Sequence, residues 1–583
     1  MNRRLLIKES RTYYQRYYRL VALAVVLMMM VLTGSLVLGD SVRGTLTDRV
    51  SERLGSAETI VATGTNFMSS DIMQSPLMAN ARGYLLVDGF LSDGGQLIPV
   101  YVWGTDCDSV PYGEAIINQP LADKLHLDLS ASAEGWDGAL HLPSHTLVPS
   151  GSLFVTKSYA TQMRLHVSAV KDVKSGGNLL LKNEQTLPLN VFVNREQLAE
   201  VMELEGKINI IMSDDILQED ALAEVWTPEM SGIHSRGNTL TTDRIFIQDD
   251  IVRKLNPEAK YFSYLVNDII NATDTVPYSF VTAVTEWQGS PLTGREMLLS
   301  DYAAAHLHVA KGDSVRMSYF LSKDLKRLEI REQRFLVKDV VPLEALVADS
   351  LLQTEFPGLS NVERCTDWDS DLPIHMDRIH KEDEDFWYKY HQTPKALVAY
   401  DAVSEDWGSG FGTATALVLS DDGARDLTMS DAGVMVIHPR EDGIYAAQHG
   451  TDFSSLFLAL GFFIILSAVL LMQNVLEEMY IQRAEEIGVY RHLGYTRQNI
   501  RGMLTREACG VIAVAATIGV LPGVLYSSVT LWLLGNVWSG ATHTEGFALH
   551  FSIVTVLISW VIGIVICLIS LLYVINKQIK QGV

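Results

Sequence analysis

The sequence predicts an α+β membrane protein, with four transmembrane helices and one large, internally duplicated extracytoplasmic α+β domain between the first and second spans. Three observations lead to this fold class. A helix needs about 20 residues to cross a bilayer, and four long apolar runs are present, at residues 20–38, 454–472, 508–534 and 551–575. The long region between the first two runs alternates strand and helix patterns. Within that region, sequence blocks recur in the same order.

Basic residues mark one side of the predicted membrane. They cluster before the first run, between the second and third runs, and after the fourth: Arg3, Arg4, Lys8, Arg11, Arg16, Arg19, Arg483, Arg491, Arg497, Arg501, Arg506, Lys577 and Lys580. The connection 537–550 contains neither Lys nor Arg. Because short cytoplasmic segments are rich in these residues, both termini and the connection between the second and third runs are expected in the cytoplasm.

The first apolar run has two interpretations, an uncleaved anchor or a cleaved signal peptide, since both follow a basic start. The apolar part of a signal peptide is usually only about 7–15 residues long, and residues 20–38 exceed that length. In addition, Gly39, Asp40 and Ser41 form a poor small-x-small cleavage site. The anchor is therefore the favoured interpretation.

These features divide the chain into predicted segments. They are a cytoplasmic N-terminus (1–19), a first transmembrane helix (20–39), two extracytoplasmic α+β units (40–240 and 241–452), a second transmembrane helix (453–473), a cytoplasmic coupling loop (474–507), a third transmembrane helix (508–536), an extracytoplasmic loop (537–550), a fourth transmembrane helix (551–575) and a cytoplasmic tail (576–583).

Local patterns predict the elements of the outer region. Alternating or continuous apolar runs indicate strands at 84–90, 96–103, 115–118, 164–173, 189–193 and 208–212. Helical patterns occur at 42–54, 121–125 and 196–204. The sequence Ser-Asp-Gly-Gly at 92–95 is typical of a hairpin turn between the first two strands.

Three pairs of sequence blocks indicate the duplication. EAIINQPLADKLHL from Glu114 aligns without gaps with EMLLSDYAAAHLHV from Glu296. VKDV occurs at both 170–173 and 337–340, and INIIMSDD from Ile208 resembles TALVLSDD from Thr415. Each match alone could arise wherever a strand precedes a helix. Their common order favours two copies of one unit, with a boundary near residues 237–242.

No catalytic, cofactor-binding or metal-binding motif is recognised. The chain lacks G-x-x-x-x-G-K-[ST], H-E-x-x-H and paired C-x-x-C, so we expect no phosphate-binding loop of its own and no cofactor. One group of His and acidic residues consists of possible metal ligands: His380, Glu382, Asp383, Glu384, Asp385 and His391. Its neighbours Phe386, Trp387 and Tyr388 favour a half-buried helix with a solvated face instead.

Charge and cysteine content narrow the function classes further. The formal net charge is −23, and the excess of acidic residues lies in the outer region, which argues against nucleic acid as a partner. The apolar runs contain no Asp, Glu, Lys or Arg, whereas carriers of ions usually bury such groups. Cys107 and Cys365 both fall in the outer region, where a disulfide could persist, but the sequence leaves their pairing open.

The connection after the second run carries a recognisable motif. Residues 483–494 read RAEEIGVYRHLG, and an acidic residue, Glu507, heads the third run. This pattern resembles that of the FtsX-like permeases of ABC transporters, also called type VII or MacB-like, in which R-x-x-E-I-G-x-x-R-x-L-G follows the second span. The matching residues are Arg483, Glu486, Ile487, Gly488, Arg491, Leu493, Gly494 and Glu507. Further segments resemble a large-permease subgroup, at 356–360, 365–368, 385–390, 393–398 and 451–457.

The resemblance implies mechanotransmission across a bacterial cytoplasmic (inner) membrane. A separate cytoplasmic ABC ATPase subunit would bind the loop formed by the motif residues, and its motion would reach a MacB-like outer domain. Implied partners also include a second permease copy or paralogue, an envelope protein or lipoprotein, and membrane lipid. Within the loop, Ile487, Tyr490 and Leu493 are expected to share one apolar stripe that meets the ATPase.

Two other function classes stay open at this point. One is a membrane-anchored regulatory or scaffold protein whose outer domain controls an envelope enzyme. The other is a sensor receptor without an ATPase, which would have no need of the motif at 483–494. The sequence does not identify a cargo or a direction of transport.

The predicted topology can be tested by labelling single cysteines in a background that lacks the native ones. Gly95→Cys and His543→Cys should react with a membrane-impermeant reagent added outside, because both lie in segments predicted to be outside. Thr496→Cys should react only after permeabilisation. Labelling of position 496 in intact cells would contradict the whole arrangement.

Overall fold

A computed structural model defines the fold. It describes residues 9–64, 66–93, 96–127, 135–142, 161–182, 186–321, 329–356, 358–368, 372–420, 426–450, 452–537 and 547–581. The two residues at the predicted 92–95 turn tip, positions 94 and 95, and the labelling position 543 lie outside this set. Contacts divide the chain into two compact units: a membrane unit (Met1–Gly55, Leu179–Leu187 and Arg440–Val583) and an outer domain (Ser56–Asn178 and Pro188–Pro439).

The helices alternate with strands throughout the outer domain. The α-helices are α1 Gln15–Leu54, α2 Gln119–Lys124, α3 Arg195–Met202, α4 Glu219–Ala223, α5 Asp249–Leu255, α6 Asp301–Leu307, α7 Leu343–Val347, α8 Lys381–Tyr390, α9 Tyr400–Trp407, α10 Pro439–His449, α11 Phe453–Gln482, α12 Ala484–His492, α13 Arg497–Trp532 and α14 Ile553–Gln581.

The strands are β1 Thr59–Ala62, β2 Met68–Ser69, β3 Ala81–Asp93, β4 Gln96–Thr105, β5 Ala115–Asn118, β6 Trp136–Leu142, β7 Thr161–Lys171, β8 Asn190–Asn194, β9 Lys207–Ile208, β10 Ile210–Ser213, β11 Ile233–Arg236, β12 Thr239–Thr242, β13 Ala259–Ile270, β14 Thr275–Val284, β15 Glu286–Trp287, β16 Ser290–Pro291, β17 Glu296–Ser300, β18 Ser314–Phe320, β19 Ile330–Val341, β20 Ala396–Ala399, β21 Ala416–Val418 and β22 Met435–Ile437. The predicted hairpin is present, since β3 and β4 pair antiparallel.

Two sheets of the outer domain repeat one topology. In the part of the chain described, the first has the order β22-β1-β10-β3-β4-β8-β5-β7-β6 and the second β11-β12-β21-β13-β14-β20-β17-β19-β18. In each, the last strand also pairs with the fourth (β6 with β3, β18 with β13), so six strands close into a ring. Parallel pairs occur at the same places, β4–β8 and β5–β7 matching β14–β20 and β17–β19. The predicted duplication is confirmed.

The repeated sequence blocks occupy equivalent positions in the two sheets. The block from Glu114 forms β5 and α2, and the block from Glu296 forms β17 and α6. Both helices are followed by a histidine with positive φ, +54° at His126 and +51° at His308. Because a side chain with φ > 0 is uncommon outside glycine, the shared conformation supports a common backbone design. The other two block pairs lie on β7 and β19 and on β10 and β21.

The predicted boundary between the two units, at residue 240, does not follow the sheets. The hairpin β11–β12 comes before or at this boundary but belongs to the second sheet. Conversely, β22 comes near the end of the second unit and pairs with β1 of the first sheet. Local sequence cannot show such an exchange, because an edge strand is chosen by long-range pairing. A single apolar core joins the two edges, with Val61 and Ile211 from the first sheet and Leu240 and Leu417 from the second.

The His and acidic group considered for metal binding forms α8 and its two ends. Phe386 and Trp387 are buried, as the half-buried helix predicted. Asp383 pairs with the buried Lys395 at 3.3 Å, and the side chain of Glu384 accepts the backbone N–H of Cys365. Among the described residues, no group of three or more His, Cys, Asp or Glu is placed to hold a metal ion.

Cys107 and Cys365 do not pair with each other. Both thiols are free, Cys107 exposed and Cys365 buried. Burial raises the pKa of the Cys365 thiol to about 12, so it packs as a neutral side chain. The disulfide that the sequence left open is therefore not present in this structure.

Four helices of the membrane unit, α1, α11, α13 and α14, are long and apolar enough to cross a bilayer. The first is central, since 61% of its apolar window is buried, against 17–33% for the other three. The same helix continues to Leu54, which confirms the predicted helix at 42–54.

Glycines on α13 allow the close approach of α1. A Cβ atom added at Gly519 would lie 2.6 Å from Cβ of Met29 and 3.1 Å from the carbonyl oxygen of Val26. One added at Gly523, one turn further on, would lie 2.9 Å from Cβ of Thr33. Small residues four apart let two helix backbones pack against each other in a membrane.

Replacing Gly519 with alanine should therefore separate α1 from α13. We expect Gly519→Ala to lower the free energy of unfolding by about 1–3 kcal/mol, the usual effect of overpacking. Gly502 lies on the same helix with open space around its Cβ position, so Gly502→Ala is the matched control and should be neutral or mildly stabilising. Thermal unfolding of both variants in detergent checks this; equal midpoints would contradict the packing argument.

Candidate functional site

The motif recognised in the sequence forms α12, a short helix between α11 and α13. It ends in a Schellman motif, in which the backbone N–H of Gly494 donates to the carbonyl of Arg491 and that of Tyr495 to the carbonyl of Tyr490. Gly494 has φ +84°, a conformation that glycine adopts without steric cost. The rings of Tyr490 and Tyr495 meet edge-on, which supplies the apolar contact typical of this ending.

The residues at and along α12 present two faces at helical spacing. Arg483, Glu486, Ile487 and Tyr490 follow the i, i+3, i+4, i+7 pattern of one helix face. Arg483 and Tyr490 are buried, Glu486 and Ile487 are half-buried, and Ile487 packs against the core of the helix bundle. This inner face contains two of the charged motif residues, Arg483 and Glu486.

The opposite face is exposed and partly apolar. Glu485, Gly488, Val489 and His492 share the same spacing on the other side of α12. Val489 is 57% exposed, and Leu493, just beyond the helix, is 64% exposed. A Cβ atom added at Gly488 would meet no atom of the described residues within 4 Å, so none of them requires a glycine there.

A buried ion pair lies beneath the inner face. The guanidinium of Arg483 contacts Oε1 of Glu507 at 3.1 Å, and both side chains are only 1% exposed. Nε of Arg483 also donates to Glu486 at 3.0 Å, and the guanidinium stacks 4.8 Å from the ring centroid of Tyr14. A buried charge is costly unless it is paired and hydrogen-bonded, and here the arginine has two carboxylate partners.

The start of the first helix completes this site. The hydroxyls of Ser10 and Tyr18 each donate to Oε1 of Glu507 at 2.8 Å. Nε of Arg11 donates to the backbone carbonyl of Glu507 at 3.0 Å. One carboxylate oxygen on α13 therefore binds donors from the N-terminal part of the chain and from the junction of α11 with α12.

Two further contacts hold α12 in place. The hydroxyl of Tyr490 donates to Glu486 at 2.7 Å. Burial, together with this hydrogen bond, raises the pKa of Tyr490 to about 12, so the hydroxyl keeps its proton at neutral pH. A guanidinium nitrogen of Arg491 donates to the carbonyl of Ile579 in the last turn of α14, at 3.1 Å. Cations are favoured at a helix C-terminus.

The structure separates the predicted site residues into two groups. Arg483, Glu486 and Glu507 contact one another, and Arg491 binds the end of α14 instead. Gly488 and Leu493 face away from the bundle. The expectation that Ile487 and Leu493 share one apolar stripe is wrong, because six residues turn a helix through far more than one face.

Some residues of the site were not found from the sequence. Ser10, Arg11, Tyr14 and Tyr18 precede their partners by more than 460 positions, and no motif marks them. Val489 was also missed. One feature of the sequence indicates its position. Val489 lies four residues after Glu485, on the helix face opposite to that of the inward-facing motif residues.

Comparison with known proteins bears on this region. Residues 458–583 match the family model described as FtsX-like permease C-terminal. The C-terminal region is therefore similar to that of FtsX-like permeases. The match spans α12, α13, α14 and most of α11, and so it includes every motif residue from Arg483 to Glu507. The predicted resemblance is confirmed for this part of the chain.

The other comparisons carry no argument about the rest of the chain. No curated protein matches the chain. Among solved structures, the periplasmic region of MacB from Actinobacillus actinomycetemcomitans is similar at 10% sequence identity and a TM-score of 0.19, over 30% of this chain and 87% of that chain. The α+β assignment of the outer domain rests on its own strand order instead.

The Schellman ending predicts opposite effects for two glycines of the motif. Gly494→Ala should destabilise α12 locally by about 1 kcal/mol, because alanine disfavours positive φ. Gly488→Ala should stabilise it by up to about 1 kcal/mol, since a helix-interior glycine is replaced without a clash. Amide hydrogen exchange over residues 484–493 measures both; faster exchange in both variants would contradict this account of Gly488.

Proposed function

We propose that this chain is the permease subunit of an ABC transporter complex in a bacterial cytoplasmic membrane. It transmits motion driven by a separate ATPase to its extracytoplasmic domain, for export or for mechanical work in the envelope. The family match at 458–583 supports an ABC-transporter-like permease. The observation that carries the proposal is the outer face of α12, which has the features of a docking surface.

The exposed face of α12 suits a close protein contact. Val489 and Leu493 place apolar side chains at the surface next to a charged segment. A glycine inside a helix costs roughly 0.5–1 kcal/mol relative to alanine, yet among the described residues Gly488 has no neighbour that would need the space. Close approach of a partner backbone explains this glycine. We therefore assign the ATPase contact to Gly488, Val489 and Leu493.

The motion has a continuous path from this surface. The inner face of α12 binds Glu507 through Arg483, and Glu507 holds Tyr18 at the start of the first helix. From Gln15 to Leu54 the first helix is unbroken, a length of about 60 Å at 1.5 Å per residue. A push on α12 would therefore be carried along the unbroken first helix as far as Leu54, which the outer domain follows in the chain.

The other partners of the complex are proposed from the charge distribution of the chain and from its resemblance to FtsX-like permeases. The basic segments support a cytoplasmic location for α12 and both termini. ATP hydrolysis is assigned to the partner subunit, and the permease itself is not an enzyme and binds no cofactor. A second permease copy or a paralogue, membrane lipid, and an envelope protein or lipoprotein complete the assembly, with no role for nucleic acid.

Co-purification from native membranes tests this function. The tagged chain should retain an ABC ATPase, identified by mass, and ATP hydrolysis should require that subunit. Val489→Asp should reduce ATPase retention at least about tenfold, because a charge buried at the contact costs several kcal/mol. Gly488→Ala should also reduce retention, although it stabilises the helix itself.

Gln498→Asp is the matched control. It adds the same charge at an exposed position just beyond α12, at the start of α13, where an acidic residue is tolerated. This variant should retain the ATPase. If no ATPase accompanies the wild-type chain, the scaffold or regulatory role is the better explanation. If Val489→Asp retains the ATPase fully, the docking surface lies elsewhere.

A further inference from the structure

We infer that Arg483, Glu507 and Tyr18 are positioning residues that make α12 and the first helix move together, without contacting the ATPase. The inference rests on the proposed function and concerns a different step of it. The exposed face of α12 determines whether the ATPase binds. The buried cluster beneath it determines whether binding and ATP hydrolysis displace the first helix.

The cluster is inaccessible to a partner. Arg483 and Glu507 have side chains only 1% exposed, and Tyr18 is buried with them. The motif arginine is therefore not a surface handle for an acidic partner, although it lies in a segment rich in exposed charge. Its contacts are all within the chain, and a role in coupling must be exerted through them.

Stability alone does not explain the ion pair. Replacing a buried ion pair with well-packed apolar residues is often neutral or stabilising, because desolvation offsets the attraction between the charges. Apolar contacts, unlike hydrogen bonds, have no preferred direction. Charge-assisted hydrogen bonds have fixed geometry, so they define one register between the joined elements, whereas apolar surfaces can slide.

The hydrogen bonds to Glu507 fix the register between three parts of the bundle. Glu507 lies on α13, Arg483 at the junction of α11 and α12, and Tyr18 on the first helix. Both donors reach the same oxygen, Oε1 of Glu507, at 3.1 Å and 2.8 Å. A tilt of α12 that keeps Arg483 paired must therefore displace Glu507, and Tyr18 follows it.

Another ion pair in the membrane unit provides a matched control. Lys577 on α14 contacts Glu477 on α11 at 2.7 Å, near the same end of the bundle. Both side chains are partly exposed, so water screens the pair, and such pairs contribute little. It joins two helices as the buried pair does, but it does not reach the first helix.

The test uses the complex with its bound ATPase. A label at Glu52→Cys, an exposed position on the outer part of the first helix, reports whether that helix responds to ATP. The native cysteines are replaced beforehand. The double variant Arg483→Met with Glu507→Met removes both fully buried charges and keeps side chains of comparable length, and the half-buried Glu486 keeps its hydrogen bond from Tyr490. It should retain the ATPase as the wild type does, and its ATP-dependent label response should fall at least about fivefold.

Two further variants keep the inference falsifiable if the double variant fails to fold. Tyr18→Phe leaves the ion pair intact and removes the buried hydrogen bond from the first helix to Glu507, while the bonds from Ser10 and Arg11 remain; ATPase retention should be unchanged and the response reduced about twofold or more. Glu477→Gln with Lys577→Met should alter neither quantity. A purely structural role for the cluster would lower yield or thermal stability but would leave the response per bound ATPase unchanged.

The outcomes separate this inference from the proposed function. Loss of response with normal ATPase retention supports it. A wild-type response in Tyr18→Phe, or in a folded double variant, overturns it, as does loss of ATPase binding in Tyr18→Phe, since the cluster would then only shape the docking surface. Absence of any ATPase on the wild-type chain contradicts the proposed function instead, before these variants are compared.

Discussion

The pair formed by Arg483 and Glu507 is the interaction on which the arrangement of the membrane unit depends. Two charges excluded from water must stay together, because separating them would leave an uncompensated charge in an apolar bundle. Ser10 and Tyr18 satisfy the same carboxylate oxygen, and Glu486 satisfies the other side of the guanidinium. The first, second and third spans are thereby held in one register at this end, and α12 is fixed in one position against the helix bundle.

In α12 the usual relation between the polarity and the exposure of side chains on a surface helix is reversed. Charged residues normally face solvent, yet Arg483 is directed inward beside Tyr490, while Val489 and Leu493 face outward. The reversal has a simple physical basis, since the inward charges are all paired. It also leaves an apolar surface that no part of the described chain covers, which is the property expected of a contact site in an assembly.

The outer domain solves a different problem, that of unpaired strand edges. In each repeat β3 or β13 pairs with the last strand of its own sheet, so most of the edge is removed by closure. Each sheet extends beyond its ring of six strands. The outermost strand of each sheet, β22 in the first and β11 in the second, comes from the other predicted unit. This exchange ties the two repeats into one compact unit, which two independently folded copies would not form.

The sequence by itself determined the elements whose cause is local. Apolar length is enough to define four spans, period-two patterns define β3 to β5, and repeated blocks define a duplicated unit, because each depends on neighbouring residues. The motif at 483–494 was sufficient to indicate the family and a short helix ended by Gly494. Tertiary structure alone decided the rest. That Glu507 meets Tyr18 across nearly 490 positions, that β22 joins the first sheet, and that Ile487 faces inward while Val489 faces outward all depend on which distant surfaces pack together. Hydrophobic and ionic contacts of this kind follow proximity in space, and proximity in space is not encoded in the spacing of residues along the chain.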